Sequence, residues 1–301
     1  MIEDIKFLNR ETGLVETEQV YGENWLKIIY GSPLGRIPLW VAIKRAWFSK
    51  WYGRKMDLPE SRKKITPFIS KYKLDKKEFL KHPSEYNSFN DFFSRKLIAE
   101  ARPIDSPTDS FVFPADGRHL GIQNLSKNTR IFTKGQKFNL PALFGSTELA
   151  KPFTNGSAVI SRLCPVDYHR FHFPISGNPT TPALINGSLF SVNPIALRKK
   201  ISIFWENKRY LSFIEETPIG RVAIFLIGAT CVGSVEFSVK FQDPIQKGDE
   251  LGYFLFGGSC VITLFEEGAV TLAEDLRESS RNGLELYAKM GDHMCKKIKR
   301  V

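Results

Sequence analysis

Residues 247–265 read KGDELGYFLFGGSCVITLF, and the rest of the chain is organised around the centre of this stretch, Gly257-Gly258-Ser259. Apolar, strand-like sequence flanks two glycines and a serine. Glycine lacks a Cβ, so the backbone at Gly258 can be approached closely and held in conformations that other residues resist. A serine directly after it can fold its hydroxyl back onto the Gly258 carbonyl, a geometry that permits attack of the chain on itself. The ordinary reading of such a motif is a bulge or tight turn between strands. A hydrolase nucleophile elbow is excluded, because G-x-S-x-G requires glycine where Val261 stands.

Working outward, Pro182–Phe265 contains several short strand patterns: 184–193, 201–206, 209–215, 221–232, 235–241 and 252–265. Frequent short strands separated by turns predict an antiparallel, sandwich- or barrel-like sheet rather than a βαβ fold. Neither G-x-G-x-x-G after a strand nor a Walker A sequence is present, so nucleotide binding lacks support. Upstream, Arg162–Pro174 (RLCPVDYHRFHFP) carries two of the five histidines, His169 and His172. Residues three apart in a regular strand face opposite ways, so the pair can serve one site only if the chain turns between them or one lies at the strand's end. Phe113-Pro114-Ala115-Asp116-Gly117 reads as a strand ending in an Asp-Gly turn.

Before residue 100 the character is helical. Residues 1–20 read as a short extended or hairpin segment with a turn at Thr12-Gly13. Helical patterns follow from Tyr21, from near Pro38, over 58–86 and over 84–97, with Ser88 or Asn90 as the last N-cap. On a helical wheel Ile37, Trp40, Val41, Trp47, Phe48, Trp51 and Tyr52 share one arc, which Lys44 interrupts. Four of the five Trp lie between residues 25 and 51, among basic residues. That pairing suits an anionic membrane interface as well as a helix docked on its own domain. The expectation is therefore an α+β protein, with a helical part at 1–100, either membrane-docking or packed on its own domain, and a β-rich, largely antiparallel domain at 101–301.

Composition bounds the rest. The chain has 301 residues, 42% hydrophobic and 25% charged, with a net charge of +11. Such a surplus attracts nucleic acid, an anionic membrane or an acidic substrate. No RNP-like motif, zinc-finger spacing or basic heptad supports nucleic acid. Cys164, Cys231, Cys260 and Cys295 form no C-x-x-C pair, so no metal or redox site is expected. The N-terminus lacks an apolar signal region. The longest weakly polar run, Val222–Val235, is shorter than the ~20 residues a spanning helix needs.

Six stretches occur in order: SFNDFFSRKL (88–97), FPADGR (113–118), KGQKFNLPALF (134–144), RLCPVDYHRFHFP (162–174), IGATCVGSVEF (227–237) and KGDELGYFLFGGS (247–259). Together they resemble the phosphatidylserine decarboxylase family, pyruvoyl-dependent membrane enzymes, in its branch with GGS at the processing site. The resemblance implies a proenzyme whose Ser259 Oγ attacks the Gly258 carbonyl, so that the chain separates into 1–258 and 259–301. Ser259 then becomes the covalent pyruvoyl cofactor. It implies Asp116 and His172 as carboxylate and base of a self-cleaving triad with Ser259, and His169 near the substrate. The mature two-chain heterodimer, with further dimerisation left open, would form a Schiff base with phosphatidylserine and release carbon dioxide and phosphatidylethanolamine. It would act as a peripheral enzyme on the cytoplasmic side of the cell membrane. Cys260 departs from the usual Thr or Ser, and 268–301 matches the family more loosely, best at Met290-Gly291-Asp292. Rival readings are a carrier-like or scaffold β domain that never cleaves, a serine hydrolase using Asp116, His172 and Ser259 in place, and a structural membrane-surface protein.

Overall fold

The computed structural model describes residues 4–20, 46–127, 130–131, 133–134, 138–229, 235–256 and 259–298. Its centre is a ten-stranded sheet. The strands are β1 (Lys6–Asn9), β2 (Val15–Thr17), β4 (Gly117–Ile122), β7 (Ser157–Leu163), β9 (Asn178–Pro179), β10 (Ala183–Ile185), β11 (Arg209–Thr217), β12 (Gly220–Ile227), β15 (Ser259–Phe265) and β17 (Glu285–Ala288). They run in the order β10-β11-β12-β15-β7-β4-β17-β1-β2, with β9 paired to β11. Every pairing is antiparallel except β1 with β17. The expected barrel-like closure does not occur among the described residues: the path ends at β10 and β2, and these do not pair.

Two small sheets join it, β8 (Arg170–His172), β13 (Val235–Phe237) and β14 (Glu250–Phe254) in one, β3 (Ser110–Val112), β16 (Val270–Leu272) and β18 (His293–Lys297) in the other. A two-stranded pair, β5 (Arg130–Ile131) and β6 (Thr133–Lys134), stands apart.

Both faces of the central strands are buried, and the period of two divides their side chains between two cores. Val222, Ile224 and Leu226 of β12, with Val261 and Phe265 of β15, meet Phe171, Phe254 and Phe111 from the small sheets. Ala223, Phe225 and Ile227, with Cys260, Ile262 and Leu264, face a helical layer that supplies Leu143, Phe144, Phe153 and Phe204. The arrangement is thus three layers, not a simple sandwich.

The helices are α1 (Ala46–Asp57), α2 (Ile65–Tyr72), α3 (Phe89–Phe93), α4 (Leu140–Phe144), α5 (Thr147–Ala150), α6 (Pro194–Leu197), α7 (Ile203–Glu206) and α8 (Glu274–Arg281). A third core gathers Met56, Ile65, Phe68, Ile69, Phe89, Phe92 and Phe93 from the first three, and Phe256 from the β region. No helix among the described residues is long and apolar enough to cross a membrane. Of the amphipathic stretch expected over 21–55, residues 21–45 lie outside the described residues.

Several local expectations change. The hairpin expected within 1–20 forms, and it extends the central sheet. The helix expected over 84–97 shortens to α3, capped by Ser88, whose Oγ accepts from Asp91 N at 3.1 Å. Residues 201–206 carry a strand-like apolar run yet form α7, because Ser202 Oγ bonds Glu206 Oε1 at 2.8 Å and Asn207 N bonds Ile203 O at 3.0 Å. The single strand pattern over 252–265 becomes two strands in two different sheets, β14 and β15. The Gly-Gly-Ser therefore falls where the chain changes sheet.

Candidate active site

Ser259 is the first residue of β15 and pairs with Leu163 of β7. Alternation puts its side chain on the same face as Val261 and Phe265, towards the sheet that carries β8 and β14. Cys260 points the opposite way, into the helical layer, so it packs away from the site. Ser259 is fully buried, and its Oγ has no hydrogen-bond partner among the described residues. Buried hydroxyls are nearly always bonded, and leaving one unpaired costs about 1–3 kcal/mol. A serine kept in that state suits a hydroxyl that must stay available to react.

The two histidines flank β8. His169 lies immediately before the strand, where its Nδ1 donates to Asp167 O at 3.0 Å and its ring lies 3.9 Å from that of Phe93. Its carbonyl accepts from Phe254 N, the last residue of β14. His172 ends β8. Its Nδ1 donates to Gly248 O at 2.9 Å, which leaves Nε2 as the ring's acceptor, 3.4 Å from Tyr168 Oη. Burial lowers its pKa below the usual 6.5, against the opposing pull of the Gly248 carbonyl, Glu250 and Asp116. The neutral imidazole, the form that can accept a proton, therefore persists at neutral pH.

Asp116 is buried at the start of β4. Gly117 after it is not a turn glycine, as the Asp-Gly pair suggested. It opens the strand, and a Cβ there would stand 2.5 Å from Arg162 O across the β4–β7 pairing. The Asp116 carboxylate receives Arg102 Nε at 2.8 Å, Arg102 Nη2 at 2.6 Å and Met290 N at 2.8 Å. Gly291 follows this last contact in the chain. Its φ is +91°, and its Cα hydrogens face Pro103 O where a Cβ would clash at 2.4 Å. Among the described residues no hydrogen bond joins Asp116 to His172, and none joins either to Ser259. Asp116 acts on His172 through space.

Sequence reasoning did not single out Arg102, whose partner Asp116 lies fourteen residues away. It also missed Arg170, whose Nε donates to Ser94 O at 2.9 Å and whose Nη1 reaches Glu250 Oε1 at 2.6 Å. Arg118 of FPADGR is paired with Asp167 of RLCPVDYHRFHFP. These buried arginines tie the quoted motifs to one another, which gives their joint occurrence a physical reason. His119, by contrast, is structural. It bonds Ser161 Oγ and Ala288 O, and burial lowers its pKa to about 3. A cavity of about 360 Å³ adjoins the site, reaching Asp116, Tyr168, Arg95 and Arg102.

The family model described as phosphatidylserine decarboxylase matches residues 89–295. A phosphatidylserine decarboxylase proenzyme of Fusobacterium nucleatum is 42% identical over 290 residues, 96% of this chain and 97% of that protein. Proenzymes of the same description from Clostridium novyi and Desulfitobacterium hafniense are 41% and 39% identical, each over 98% of this chain and at least 99% of their own length. The chain belongs to the phosphatidylserine decarboxylase family. The family match begins at Phe89, inside the first of the quoted motifs, and ends at Cys295 in β18. It therefore spans Ser259, both histidines, Asp116 and the Met290 contact.

Proposed function

We propose that this chain decarboxylates phosphatidylserine to phosphatidylethanolamine, using a carbonyl made from its own Ser259. Family membership supports the reaction. The observation that carries the self-made carbonyl is the buried Ser259 Oγ, which has no hydrogen-bond partner among the described residues.

Ser259 Oγ attacks the Gly258 carbonyl carbon while His172 Nε2 takes the hydroxyl proton. The Gly258–Ser259 C–N bond breaks, the acyl group passes to oxygen, and the proton goes to the freed amine. The residue-259 α-proton is then lost and the Cβ–Oγ bond breaks, leaving 1–258 with a terminal carboxylate. One water displaces the nitrogen as ammonia, so no oxidant is needed. The pyruvoyl group so formed at residue 259 supplies a carbonyl that accepts the electron pair left when carbon dioxide departs. His172 is held for its role by Gly248 O, and the Asp116 charge favours the protonated imidazole that develops. His169, with Nδ1 engaged by Asp167 O, is assigned to hold a proton at Nε2 for the substrate α-carbon.

Intact mass of the denatured protein tests the reading. A fragment of 43 residues (301 − 258), lighter by one ammonia than a serine-started peptide, together with carbon dioxide from labelled phosphatidylserine, is the expected result. A single uncut chain labelled at Ser259 by a serine-reactive probe would point instead to a hydrolase.

The helical part is assigned to the membrane surface, as a peripheral attachment. Trp51 on α1 is 48% exposed, with Lys55 Nζ 4.0 Å from its ring centroid. An exposed aromatic beside a cation suits an anionic interface. Trp51→Ser should weaken partition onto phosphatidylglycerol vesicles about tenfold or more, since removing a large apolar side chain forfeits about 1.5–3 kcal/mol of burial. Flotation measures this, and undiminished binding would exclude Trp51 from the contact.

A further inference from the structure

We propose that Asn90 is the positioning residue for self-cleavage, holding the chain upstream of the scissile bond in register with Ser259. The proposal rests on the reading that the chain cuts itself between 258 and 259. Asn90 lies on α3 and is buried. Its Oδ1 accepts from Phe256 N at 3.0 Å. Its Nδ2 donates to Asp57 Oδ1 at 2.7 Å and to Gly53 O at 3.3 Å, both on α1. These partners fix which end of the amide is oxygen, since Asp57 and Gly53 O can only accept and Phe256 N can only donate.

The contact falls where the backbone has no strand neighbour. β14 ends at Phe254 and β15 begins at Ser259. Phe256 lies beyond the end of β14, so its N–H needs a partner from outside that ladder. The Asn90 side chain supplies it. The Phe256 ring is fixed at the same point, with centroids 5.2 Å from Phe89, 5.0 Å from Phe93 and 5.7 Å from Tyr52. Downstream, Ser259 is held by its pairing with Leu163. Phe256 and Ser259, three residues and about 10 Å apart at most, are thus both fixed, and the bond that the proposed reaction cuts lies between them in sequence. Attack needs the reacting atoms about 3–3.5 Å apart, and a displacement of about 1 Å lowers such a rate by about a hundredfold. Removing the upstream anchor frees the carbonyl that Ser259 must reach.

The test follows cleavage after cell-free synthesis, by the appearance of the 43-residue fragment (301 − 258). Asn90→Ala is expected to cleave about a hundredfold more slowly than the wild type while still unfolding cooperatively. Hydroxylamine, which cuts esters, should not speed it, because the impaired step precedes the ester. Asn90→Asp keeps the acceptor for Phe256 N but sets a second carboxylate against Asp57, and should also be slow. Adding Asp57→Asn restores a donor opposite that carboxylate and should return the rate towards wild type. Wild-type speed in Asn90→Ala, or an Asn90→Ala protein that hydroxylamine cuts readily, overturns this role alone. A wild type that never cleaves overturns the self-cleavage reading, and this role with it.

Discussion

Ser259→Ala remains one chain of 301 residues and releases no carbon dioxide from phosphatidylserine. Nothing else described at the sheet change offers an oxygen in the same position. Thr263, on the same face of β15, lies four residues further along the strand, and Cys260 faces the opposite core. The substitution should cost no stability. The serine oxygen is buried without a partner among the described residues, so removing it relieves a desolvation penalty of about 1–3 kcal/mol and leaves a cavity of a single atom. A thermal midpoint equal to or above that of an uncut reference is expected. This separates loss of chemistry from loss of fold, which is rarely possible for a fully buried residue. A two-chain Ser259→Ala protein, seen by intact mass, would place the cut elsewhere.

How far the site could be read from the sequence depended on the range of the interaction concerned. The Gly-Gly-Ser, the two histidines and Asp116 announce themselves by residue type within short motifs. The short apolar runs that become β12 and β15 are equally local, and they read as strands. The sheet change at 255–258 is not local. LGYFLF and CVITLF look like one strand, because nothing in their composition says that Phe254 pairs with Val235 while Ser259 pairs with Leu163. Barrel-like closure failed for a related reason: whether edge strands meet is set by the number and twist of strands between them, which no single segment encodes. Partners of buried charges were the least visible. Arg102 and Asp116 are fourteen residues apart, and Arg170 and Glu250 eighty. Asn90 looked like a helix cap, yet Ser88 caps α3 and Asn90 ties α1 to Phe256, beyond the end of β14.

Asp116→Ala is expected to remain uncut and to lose stability as well, and the two effects have different causes. The stability loss comes through Arg102. That guanidinium is almost fully buried, and Asp116 takes three of its donor contacts while the more exposed Glu78 takes the rest of the charge pairing. Removing the carboxylate leaves the arginine only Glu78 and Ala101 O and unpairs Met290 N, a loss of about 3–5 kcal/mol by comparison with other broken buried pairs. Unfolding in urea, measured in the Ser259→Ala background so that one chain unfolds reversibly, checks this. The cleavage loss comes through His172. Its Nδ1 is oriented by Gly248 O rather than by Asp116, so the carboxylate contributes charge and not geometry. Asp116→Asn also gives up the ion pair with Arg102, so its cleavage is read in folded protein. It keeps an acceptor for Met290 N and the shape of the site, yet removes the charge that favours protonated His172. Cleavage in Asp116→Asn should fall by about a hundredfold or more, within the range for removing assistance to a general base. A folded Asp116→Asn protein that matures at the wild-type rate would leave Asp116 only its bond to Arg102, and the base would then depend on the Gly248 carbonyl alone.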